Sequence, residues 1–305
     1  VTFDLAVLTN LTRDHLDYHG DLESYAEAKR KLFHADGLRY AVINADDNFG
    51  SALLDAIPPG VAPIAYRLEN DPFRTRFPAQ WVIGRNLQYD VNGLSMDVQT
   101  PWGSGSQHCG LLGRFNASNL LATLASLCVV GLPFQEALRR LAVTRTVPGR
   151  MERFDMGEGR PLAVIDFAHT AAALEAVLRS LRAHCGGKLW CVFGAGGDRD
   201  RGKRSLMGAV AERYADEIVL TDDNPRTEDA QRIIDDICSG LKQPATVHIE
   251  HDRAHAIGWA MRHAGAEDIV LIAGKGHESV QIVGTRAVPF SDRERVRAIA
   301  REWSR

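Results

Sequence analysis

The pattern of apolar and polar positions along the chain changes near residue 148. Beyond it, short apolar runs alternate with longer segments whose apolar positions recur at helical spacing, which is typical of buried parallel strands joined by helices. The predicted strands are residues 162–165, 189–193, 218–220, 246–249 and 269–272. The predicted helices are residues 172–183, 205–214, 230–241 and 253–263. This order predicts a doubly wound, mostly parallel α/β domain with right-handed crossovers.

Two more elements complete this domain, which we expect to span residues 148–305. Residues 280–289 are expected to add an antiparallel edge to the sheet, and residues 292–303 to form a last helix. The segment VPGR at residues 147–150 interrupts the pattern, because proline and glycine punctuate regular structure. We therefore place a domain boundary between residues 147 and 148 and assign residues 1–147 to a first domain.

The sequence of the first domain predicts a less regular set of secondary-structure elements. They are a strand within residues 1–9, a helix at 22–34, a strand at 40–43 and helices at 116–130 and 133–141. Alternating apolar positions on both sides of Asn92-Gly93 predict a hairpin with a type I′ turn. Because the first strand begins without a turn or cap signal, we expect sequence to precede it and these strands to lack sheet partners.

The composition narrows the class of protein and its partners. The chain has 305 residues, of which 45% are hydrophobic and 25% charged, as in ordinary globular proteins. A net charge of -3 without a block of like charges argues against a nucleic-acid partner. The five cysteines form no CxxC pair, which favours reduced thiols. With no signal peptide and no apolar run of membrane length, we expect a cytoplasmic protein without a membrane partner.

The stretch DEIVLTDDNPRTED at residues 216–229 joins a predicted strand to a polar loop. Such a loop lies at the carboxyl edge of an open α/β sheet, where these folds bind ligands. It offers the carboxylate of Asp223, the amide of Asn224 and the guanidinium of Arg226, held by Pro225. Both signs of charge at a fixed separation suit a small zwitterion such as an amino acid. The alternative is a capped surface loop without a ligand.

Three further polar loops follow neighbouring strands. They are DFAHT at residues 166–170, GAGGDRDRGKR at 194–204 and GKGHE at 274–278. Because parallel strands end at one edge of the sheet, the four loops can converge on one ligand, and their glycines let backbone approach it. GAGGDR lacks the third glycine of a dinucleotide loop, and no GxxxxGK[ST] phosphate loop occurs in the chain.

The first predicted helix carries Leu22, Tyr25, Lys29 and Leu32 at helical spacing. A buried amine is costly unless it is neutralised or paired, and an amine in that setting is nucleophilic toward carbon dioxide. The alternative is that the Lys29 side chain extends its amine to the surface. Spacing alone leaves both readings open.

Seven segments of the chain, in family order, resemble the Mur ligases that add meso-2,6-diaminopimelate. The segments are TNLTRDHLDYHGDLESYAEAK, GRFNASNLLATLA, VPGRMERF, VIDFAHT, LWCVFGAGGDRDRGKR, TDDNPRTED and AGKGHE. The resemblance covers nearly the whole chain. It implies the later part of the Mur ligase central ATPase domain over residues 1–147 and a complete C-terminal domain over residues 148–305.

The resemblance also implies an activity, that of an ATP-dependent amide ligase of peptidoglycan synthesis. Its substrates would be UDP-N-acetylmuramoyl-L-alanyl-D-glutamate and meso-2,6-diaminopimelate. The γ-phosphate of ATP would pass to the D-glutamyl carboxylate, and the amine of diaminopimelate would attack the resulting acyl phosphate. Mg²⁺ would neutralise the crowded oxygens. We expect the protein to act as a monomer.

Positions that match the family motifs imply roles for individual residues. Lys29 matches the lysine that the family carbamylates, and His15 matches its metal-site histidine. Four residues match family positions on the nucleotide side of the active site: Asn116, Arg150, Asp166 and His169. The diaminopimelate pocket is matched by Arg199, Asp223, Asn224, Pro225, Arg226, Gly274 and Glu278. Lysine-adding relatives lack the arginine after Asn-Pro, so Arg226 implies a substrate with a distal carboxylate.

Two departures from the family pattern leave alternatives open. The family's Tyr-Ala-His-Thr-Pro-Asp-Ala is here FAHTAAA at residues 167–173, so a helix-starting proline and a carboxylate are missing beside His169. The uridine-nucleotide domain and the phosphate loop have no counterpart, so we expect this chain alone to be inactive. One alternative is a non-catalytic module that binds diaminopimelate or a peptide. Another is a folylpolyglutamate synthetase-like ligase, against which DDNPR and GKGHE argue.

Overall fold

A computed structural model describes residues 2–11, 21–68 and 80–304 of the chain. The chain forms two compact units, Val1–Thr144 and Arg145–Arg305. Apolar clusters lie within each unit. The boundary that the sequence predicts between residues 147 and 148 remains our proposal, and it falls close to this division.

The first unit is built on a six-stranded sheet whose strands follow chain order. The strands are β1 Leu5–Leu8, β2 Tyr40–Asn44, β3 Ala62–Leu68, β4 Gln80–Asp90, β5 Gly93–Thr100 and β6 Gly103–Cys109. β1 to β4 pair in parallel, whereas β4, β5 and β6 pair antiparallel. Each of these strands has a sheet partner, so the expectation that strands of the first domain lack partners is wrong.

Helices cover both faces of this sheet. They are α1 Leu22–Phe33, α2 Asn48–Asp55, α3 Arg114–Val129 and α4 Phe134–Ala142. Alternate residues of β2 enter different apolar clusters: Val42 joins the cluster that contains α3 and α4, whereas Ala41 and Ile43 join the cluster that contains Phe33 of α1 and Leu53 of α2. This alternation follows from the two-residue repeat of a strand, and it explains why β2 reads as a continuous apolar run.

The buried face of α1 differs from the predicted stripe. Ala26 and Phe33 are 4% and 1% exposed, whereas Leu32 is 36% exposed. Lys29 is also exposed, and its amine lies 5.2 Å from the centre of the Tyr25 ring, in reach of a cation–π contact. Lys29 therefore does not lie on the apolar face of α1, and of the two readings the extended surface amine is the observed one.

β4 and β5 form the predicted hairpin, but its turn lies one residue earlier than expected. Asp90 pairs with Gly93, so the two turn residues are Val91 and Asn92. Neither has a positive φ, whereas a type I′ turn needs positive φ at both central residues. Gly93 is required for a different reason: a Cβ there would lie 2.0 Å from the carbonyl oxygen of Cys109.

The second unit contains a six-stranded sheet of order β11-β10-β9-β12-β8-β7. The strands are β7 Glu152–Phe154, β8 Leu162–Asp166, β9 Leu189–Phe193, β10 Glu217–Leu220, β11 His248–Ile249 and β12 Ile269–Ala273. The helices are α5 Ala171–Arg182, α6 Gly202–Tyr214, α7 Ala230–Cys238, α8 Arg253–His263 and α9 Asp292–Trp303. All neighbouring strands are parallel except β7, which is antiparallel to β8. The predicted mostly parallel α/β domain is confirmed.

The antiparallel edge of this sheet is β7, and the prediction that residues 280–289 form it is wrong. β13 Val280–Val283 and β14 Arg286–Pro289 make a separate two-stranded hairpin. Every residue of β14 is exposed, so the hairpin has no continuous apolar face to bury against the sheet. The hairpin instead holds the loop after β10, because the Arg226 N–H donates to the Ile282 carbonyl at 3.0 Å and the Gly284 N–H donates to the Arg226 carbonyl at 2.7 Å.

The central strands β8, β9 and β12 are buried along their whole length, as expected where helices cover both faces. α8 and α9 share one apolar cluster with alternate residues of β8, β9, β10 and β12. α5 packs on β9 and β12. Because these four strands are parallel, their carboxyl ends share one edge, and the four polar loops begin there.

Candidate functional site

The loop after β8 begins at a buried carboxylate. Asp166 is 6% exposed, and its two oxygens accept hydrogen bonds from the backbone N–H groups of Met151 and Ala168, each at 2.8 Å. Burial raises the pKa of Asp166, while these N–H groups and the charge of Arg150 act in the opposite direction. Asp166 therefore fixes the backbone of the turn that carries His169.

An aromatic ring in this loop gathers three further side chains. The guanidinium of Arg150 lies 4.8 Å from the centre of the Phe167 ring, and the rings of His169 and His277 lie 4.7 and 5.6 Å away. Nδ1 of His169 is 2.8 Å from the Phe167 carbonyl oxygen. Arg150 and His169 are exposed. The second unit thus brings together Arg150, Asp166 and His169, three residues that the sequence predicts for the nucleotide side.

The loops after β9 and β10 are interlocked through their backbones. The Gly197 N–H donates to the Asn224 carbonyl at 2.9 Å. A Cβ on Gly197 would lie 1.9 Å from the Pro225 carbonyl oxygen, and one on Gly194 would lie 2.0 Å from that of Thr221. Only glycine permits such an approach, so these positions hold the two loops at a fixed spacing.

Arg226 adds a side-chain link between the same loops. Its Nη1 donates to the carbonyl oxygen of Gly197 at 2.9 Å and lies 3.5 Å from that of Asn224. Within the described part of the chain, Nε and Nη2 of Arg226 have no hydrogen-bond acceptor, so these donors remain available to a carboxylate. Arg226 has a φ of 53°, which is uncommon for a residue other than glycine. Arg199, also predicted for the pocket, is exposed on the loop after β9.

A buried ion pair braces these loops from α6. Arg204 is fully buried and donates to the two carboxylate oxygens of Glu228 at 2.8 and 2.7 Å, to Asp236 at 2.8 Å and to the Gly196 carbonyl at 3.1 Å. Glu228 also accepts from the Asp198 N–H at 3.1 Å. The hydrogen bonds from Arg204 hold the pKa of Glu228 at about 2, well below its usual 4.5.

The loops after β10 and β12 meet at a buried cluster of charged and amide groups. Lys275 is 0% exposed, and its Nζ donates to Asn224 Oδ1 at 3.0 Å and to Glu278 Oε2 at 2.9 Å. Nδ2 of Asn224 donates to the same Glu278 oxygen at 3.0 Å. Asp223 Oδ1 lies 3.9 Å from Lys275 Nζ. The predicted residues Asp223, Asn224 and Glu278 are therefore brought together, around a lysine that the sequence analysis did not select.

The two carboxylates of this cluster have opposite pKa shifts. Burial raises the pKa of Asp223, and the charges of Arg253 and Lys275 offset only part of that effect. Burial acts in the same direction on Glu278, but the hydrogen bonds from Lys275 and Asn224 outweigh it, so the pKa of Glu278 is lowered. Of the two carboxylates, Glu278 is therefore the one whose ionised form its surroundings favour.

Gly274 makes room for the Asp223 carboxylate. It has a φ of 113°, and a Cβ at this position would lie 2.5 Å from Asp223 Oδ2. Its N–H donates to the Asp166 carbonyl at 3.1 Å, which links the loops after β8 and β12. Pro225 is buried and lies against the Gly197 backbone. Both predicted positions therefore shape the pocket through their backbones.

The sequence analysis did not identify three buried cationic side chains of this region. Besides Lys275 and Arg204, the fully buried Arg253 donates to both oxygens of Asp292, at 2.8 and 2.9 Å. Only Lys275 carries a signal that could have been used: it lies between two glycines directly after a buried strand, where a solvated side chain is not expected. Arg204 and Arg253 lie in helices α6 and α8, where sequence does not separate a buried arginine from an exposed one.

Two of the predicted site residues, Asn116 and Lys29, lie on helices of the first unit. Asn116 lies in α3, where its Nδ2 donates to the Leu112 carbonyl at 2.8 Å and its Oδ1 lies 3.5 Å from Asn119 Nδ2. Lys29 is exposed on α1. His15 lies outside the described residues. Their predicted roles stay predictions.

No group of three or more histidine, cysteine, aspartate or glutamate side chains in the described ranges could hold a metal ion. An uncharged or protonated amine is not a ligand for Mg²⁺, which prefers oxygen, so the exposed Lys29 does not fit this role unless it is modified. Residues 2–11, 21–68 and 80–304 therefore do not by themselves fit a bound Mg²⁺. In the same ranges, no helix is both long and apolar enough to cross a bilayer.

The second unit is an α/β domain in which four polar loops lie at the carboxyl edge of one mostly parallel sheet. Residues 149–276 match the Mur ligase, glutamate ligase domain, and residues 1–127 match the Mur ligase middle domain. The chain belongs to the Mur ligase family, whose members are ATP-dependent ligases.

Two curated relatives are named UDP-N-acetylmuramoyl-L-alanyl-D-glutamate--2,6-diaminopimelate ligase. The protein from Coxiella burnetii is 49% identical over 294 residues, and the one from Alkalilimnicola ehrlichii is 50% identical over 296. They cover 96% and 97% of this chain, which spans 59% and 58% of their lengths. A solved structure with the same ligase name aligns with a TM-score of 0.78 and 38% identity, covering 99% of this chain and 61% of its own.

Proposed function

We propose that the chain is the diaminopimelate-binding part of a ligase that adds meso-2,6-diaminopimelate to the D-glutamate of UDP-N-acetylmuramoyl-L-alanyl-D-glutamate. The observation that carries this proposal is the set of unused polar groups at the ends of β10 and β12. Asp223 and Glu278 offer carboxylate oxygens there, and Arg226 on the adjoining loop offers two nitrogen donors that have no acceptor among the described residues. An ammonium and a carboxylate on one small molecule match this set. The names of the relatives support the same substrate.

An amide ligase must activate a carboxylate before an amine can attack it. In the proposed reaction, ATP would transfer its γ-phosphoryl group to the D-glutamyl carboxylate, and phosphate would leave when the amine attacks the resulting acyl phosphate. The part played by this chain is to fix the amino acid at both ends, which turns the attack into an effectively intramolecular step. Asp223 and Glu278 hold an ammonium group, and Arg226 holds the distal carboxylate. Gly194 and Gly197 let the two loops lie close together, and the hydrogen bonds of Gly197 with Asn224 and Arg226 hold them there.

The same proposal assigns the remaining predicted residues. Lys29, as a carbamate, and His15 take the metal-site roles, and Asn116, Arg150, Asp166 and His169 serve the nucleotide side. The flat ring of Phe167, with the Arg150 guanidinium 4.8 Å from its centre, supports a stacking role for this loop. We further propose that the ligase is a cytoplasmic monomer.

Calorimetric titration of the chain tests this function. We expect meso-diaminopimelate to bind about ten- to a hundredfold more tightly than L-lysine, because only diaminopimelate carries a carboxylate for Arg226. We expect no ATP hydrolysis, since the sequence contains no GxxxxGK[ST] loop. Equal affinity for the two amino acids, or no affinity for either, would contradict the proposal. Binding of diaminopimelate without turnover in a protein that contains both halves of the family sequence would favour a non-catalytic module.

A further inference from the structure

The loop after β12 contains a lysine that is more buried than any charged group predicted for the pocket. Lys275 is 0% exposed and lies between Gly274 and Gly276, both of which have positive φ. A lysine is almost never fully buried unless its charge is paired. Here the partners are Asn224 and Glu278, at 3.0 and 2.9 Å from Nζ. Lys275 thus joins two of the residues proposed to receive the amino acid.

The orientation of the Asn224 amide follows from these contacts. The backbone N–H of Ile282 points at the side chain of Asn224, at 2.9 Å, and an N–H can only donate. The atom that faces it is therefore Oδ1, which also accepts from Lys275. Nδ2 consequently faces Glu278 and donates to its Oε2 at 3.0 Å. The Ile282 N–H and the Lys275 amine both donate to Oδ1, so only one orientation of the Asn224 amide satisfies these contacts.

The same contacts determine which carboxylate oxygens remain available. Oε2 of Glu278 accepts from both Lys275 and Asn224, while Oε1 has no donor in the described part of the chain. Asp223 is 7% exposed, and the described residues provide no hydrogen-bond donor to its carboxylate. Its closest cation is Lys275, at 3.9 Å. Two carboxylates face one directly contacting ammonium, so the contacts within this cluster leave one negative charge that a further cation can pair with.

We propose that Lys275 is the positioning residue of the amino-acid site, holding Asn224 and Glu278 in one orientation so that Glu278 Oε1 and the Asp223 carboxylate receive the ammonium of the ligand. This inference rests on the proposed function for the identity of the ligand. Lys275 does not touch the ligand in this arrangement. It offsets one of the two negative charges, which favours the ionised form of the carboxylates in a buried place.

The electrostatics of the surrounding elements agree with this role. Burial raises the pKa of Glu278, whereas Lys275 lowers it. Asn224 and Arg253 act in the same direction as Lys275. The charged groups that act on Asp223 include Arg253, Lys275, Glu278 and Asp292, and Lys203 of α6 also interacts with its charge. Arg253 is already paired with Asp292 through two hydrogen bonds. Lys275 is therefore the cation of this set that is bonded directly to the pocket.

The test uses Lys275→Met, which keeps the length of the side chain and removes its charge and donors. We expect the affinity of the chain for meso-diaminopimelate to fall by about tenfold or more, because Glu278 and Asp223 lose their counter-charge. The midpoint of the Glu278 titration, followed by the NMR shift of its carboxyl carbon and assigned with Glu278→Gln, should rise by about one pH unit or more. Binding should then be lost on acidification at a correspondingly higher pH than in the wild type. Lys242→Met, at an exposed lysine, is the matched control and should change neither quantity.

A double variant separates positioning from general damage to the fold. If Lys275 acts in part through Glu278, then the loss of affinity caused by Lys275→Met should be smaller in the Glu278→Gln background than in the wild type. The double variant also removes the uncompensated carboxylate, so it serves as the test should Lys275→Met alone fail to fold. An equal loss of affinity in both backgrounds, or an unchanged Glu278 midpoint in Lys275→Met, overturns the proposal.

The outcomes also distinguish this inference from the proposed function. Wild-type chain that does not bind diaminopimelate overturns the proposed substrate. A Glu278 midpoint that still rises in Lys275→Met then supports the contact between Lys275 and Glu278, since that measurement needs no ligand. Normal binding with an unmoved midpoint supports the substrate and overturns the role of Lys275.

Discussion

Nη1 of Arg226 lies 2.9 Å from the carbonyl oxygen of Gly197, so the arginine proposed to hold the distal carboxylate also fastens the loop after β10 to the loop after β9. Its guanidinium is a planar fork, and occupying one nitrogen fixes where the other two point. The specificity of the site and the spacing of its loops therefore depend on one side chain.

Replacement of Arg226 by alanine separates these two effects. We expect Arg226→Ala to weaken meso-diaminopimelate by about ten- to a hundredfold, because a charge-assisted contact is lost, and to weaken L-lysine much less. Thr227→Ala is the control: it removes the Oγ1 hydrogen bond to Asp198 at 2.9 Å, a second link between the same loops, and leaves the guanidinium in place. Calorimetry with both amino acids measures the difference. Equal weakening of the two ligands by Arg226→Ala would show that Arg226 serves only the loop.

Substitution of Gly274 should damage the pocket more than substitution of another glycine with a similar backbone. Gly274→Ala places a Cβ 2.5 Å from Asp223 Oδ2 at a φ of 113°. Gly157→Ala is the matched control, with a φ of 96° and no atom within 4 Å of the added Cβ. We expect both to lower the free energy of unfolding by about 1–3 kcal/mol through backbone strain. Only Gly274→Ala should also reduce diaminopimelate binding, and similar binding by both variants would contradict the role of the Asp223 carboxylate.

The ion pair of Arg204 and Glu228 makes stability depend on pH. The pKa of Glu228 is about 2 in the folded chain, below its ordinary 4.5, so its contribution is present above about pH 4.5 and is lost as the pH falls toward 2. At neutral pH, Glu228→Gln should be less stable than the wild type by about 1.5–3 kcal/mol. That difference should shrink across this acidic window. Urea unfolding at several pH values measures it, with the exposed Glu158→Gln as control, and a constant difference down to pH 2 would refute the assignment.

Lys29 tests the role that the family resemblance implies. Because its side chain is exposed on α1, Lys29→Ala should change the free energy of unfolding of this chain by less than about 0.5 kcal/mol. In a full-length ligase that contains this segment, the same change should abolish ligation. Lys31→Ala, at an exposed lysine of the same helix, should keep activity. Ligation at the wild-type rate by Lys29→Ala would make Lys29 an ordinary surface residue.

The sequence predicts the second unit better than the first for a physical reason. Its strands are buried on both faces, so β9 and β12 appear as unbroken apolar runs that composition identifies directly. β6, with the sequence GSGSQHC, has no such run. It is a strand because Gly103 and Gly105 let Phe134 and Leu138 of α4 pack closely on its backbone, and this contact involves residues distant in sequence.

The candidate site was predicted only as far as local sequence determines it. The loops DDNPR and GKGHE could be placed at one edge of the sheet, because parallel strands share their direction. The hydrogen-bond partner of Lys275 could not be predicted, since Asn224 belongs to a loop 51 positions earlier in the chain. The apolar stripe predicted on α1 is wrong for a related reason. Tyr25, Lys29 and Leu32 have helical spacing, but packing against the sheet decides which side of the helix is buried.

The contact of Gly197 with Pro225 and of Gly194 with Thr221 has a consequence for redesign of this site. Any side chain at either glycine would push two loops apart, so neither loop can be moved without the other. A change in amino-acid preference must then come from substituting side chains on loops whose backbones keep their positions. A mutagenesis library directed at Arg199 and Arg226, with both glycines left untouched, would sample new preferences while losing few variants to misfolding.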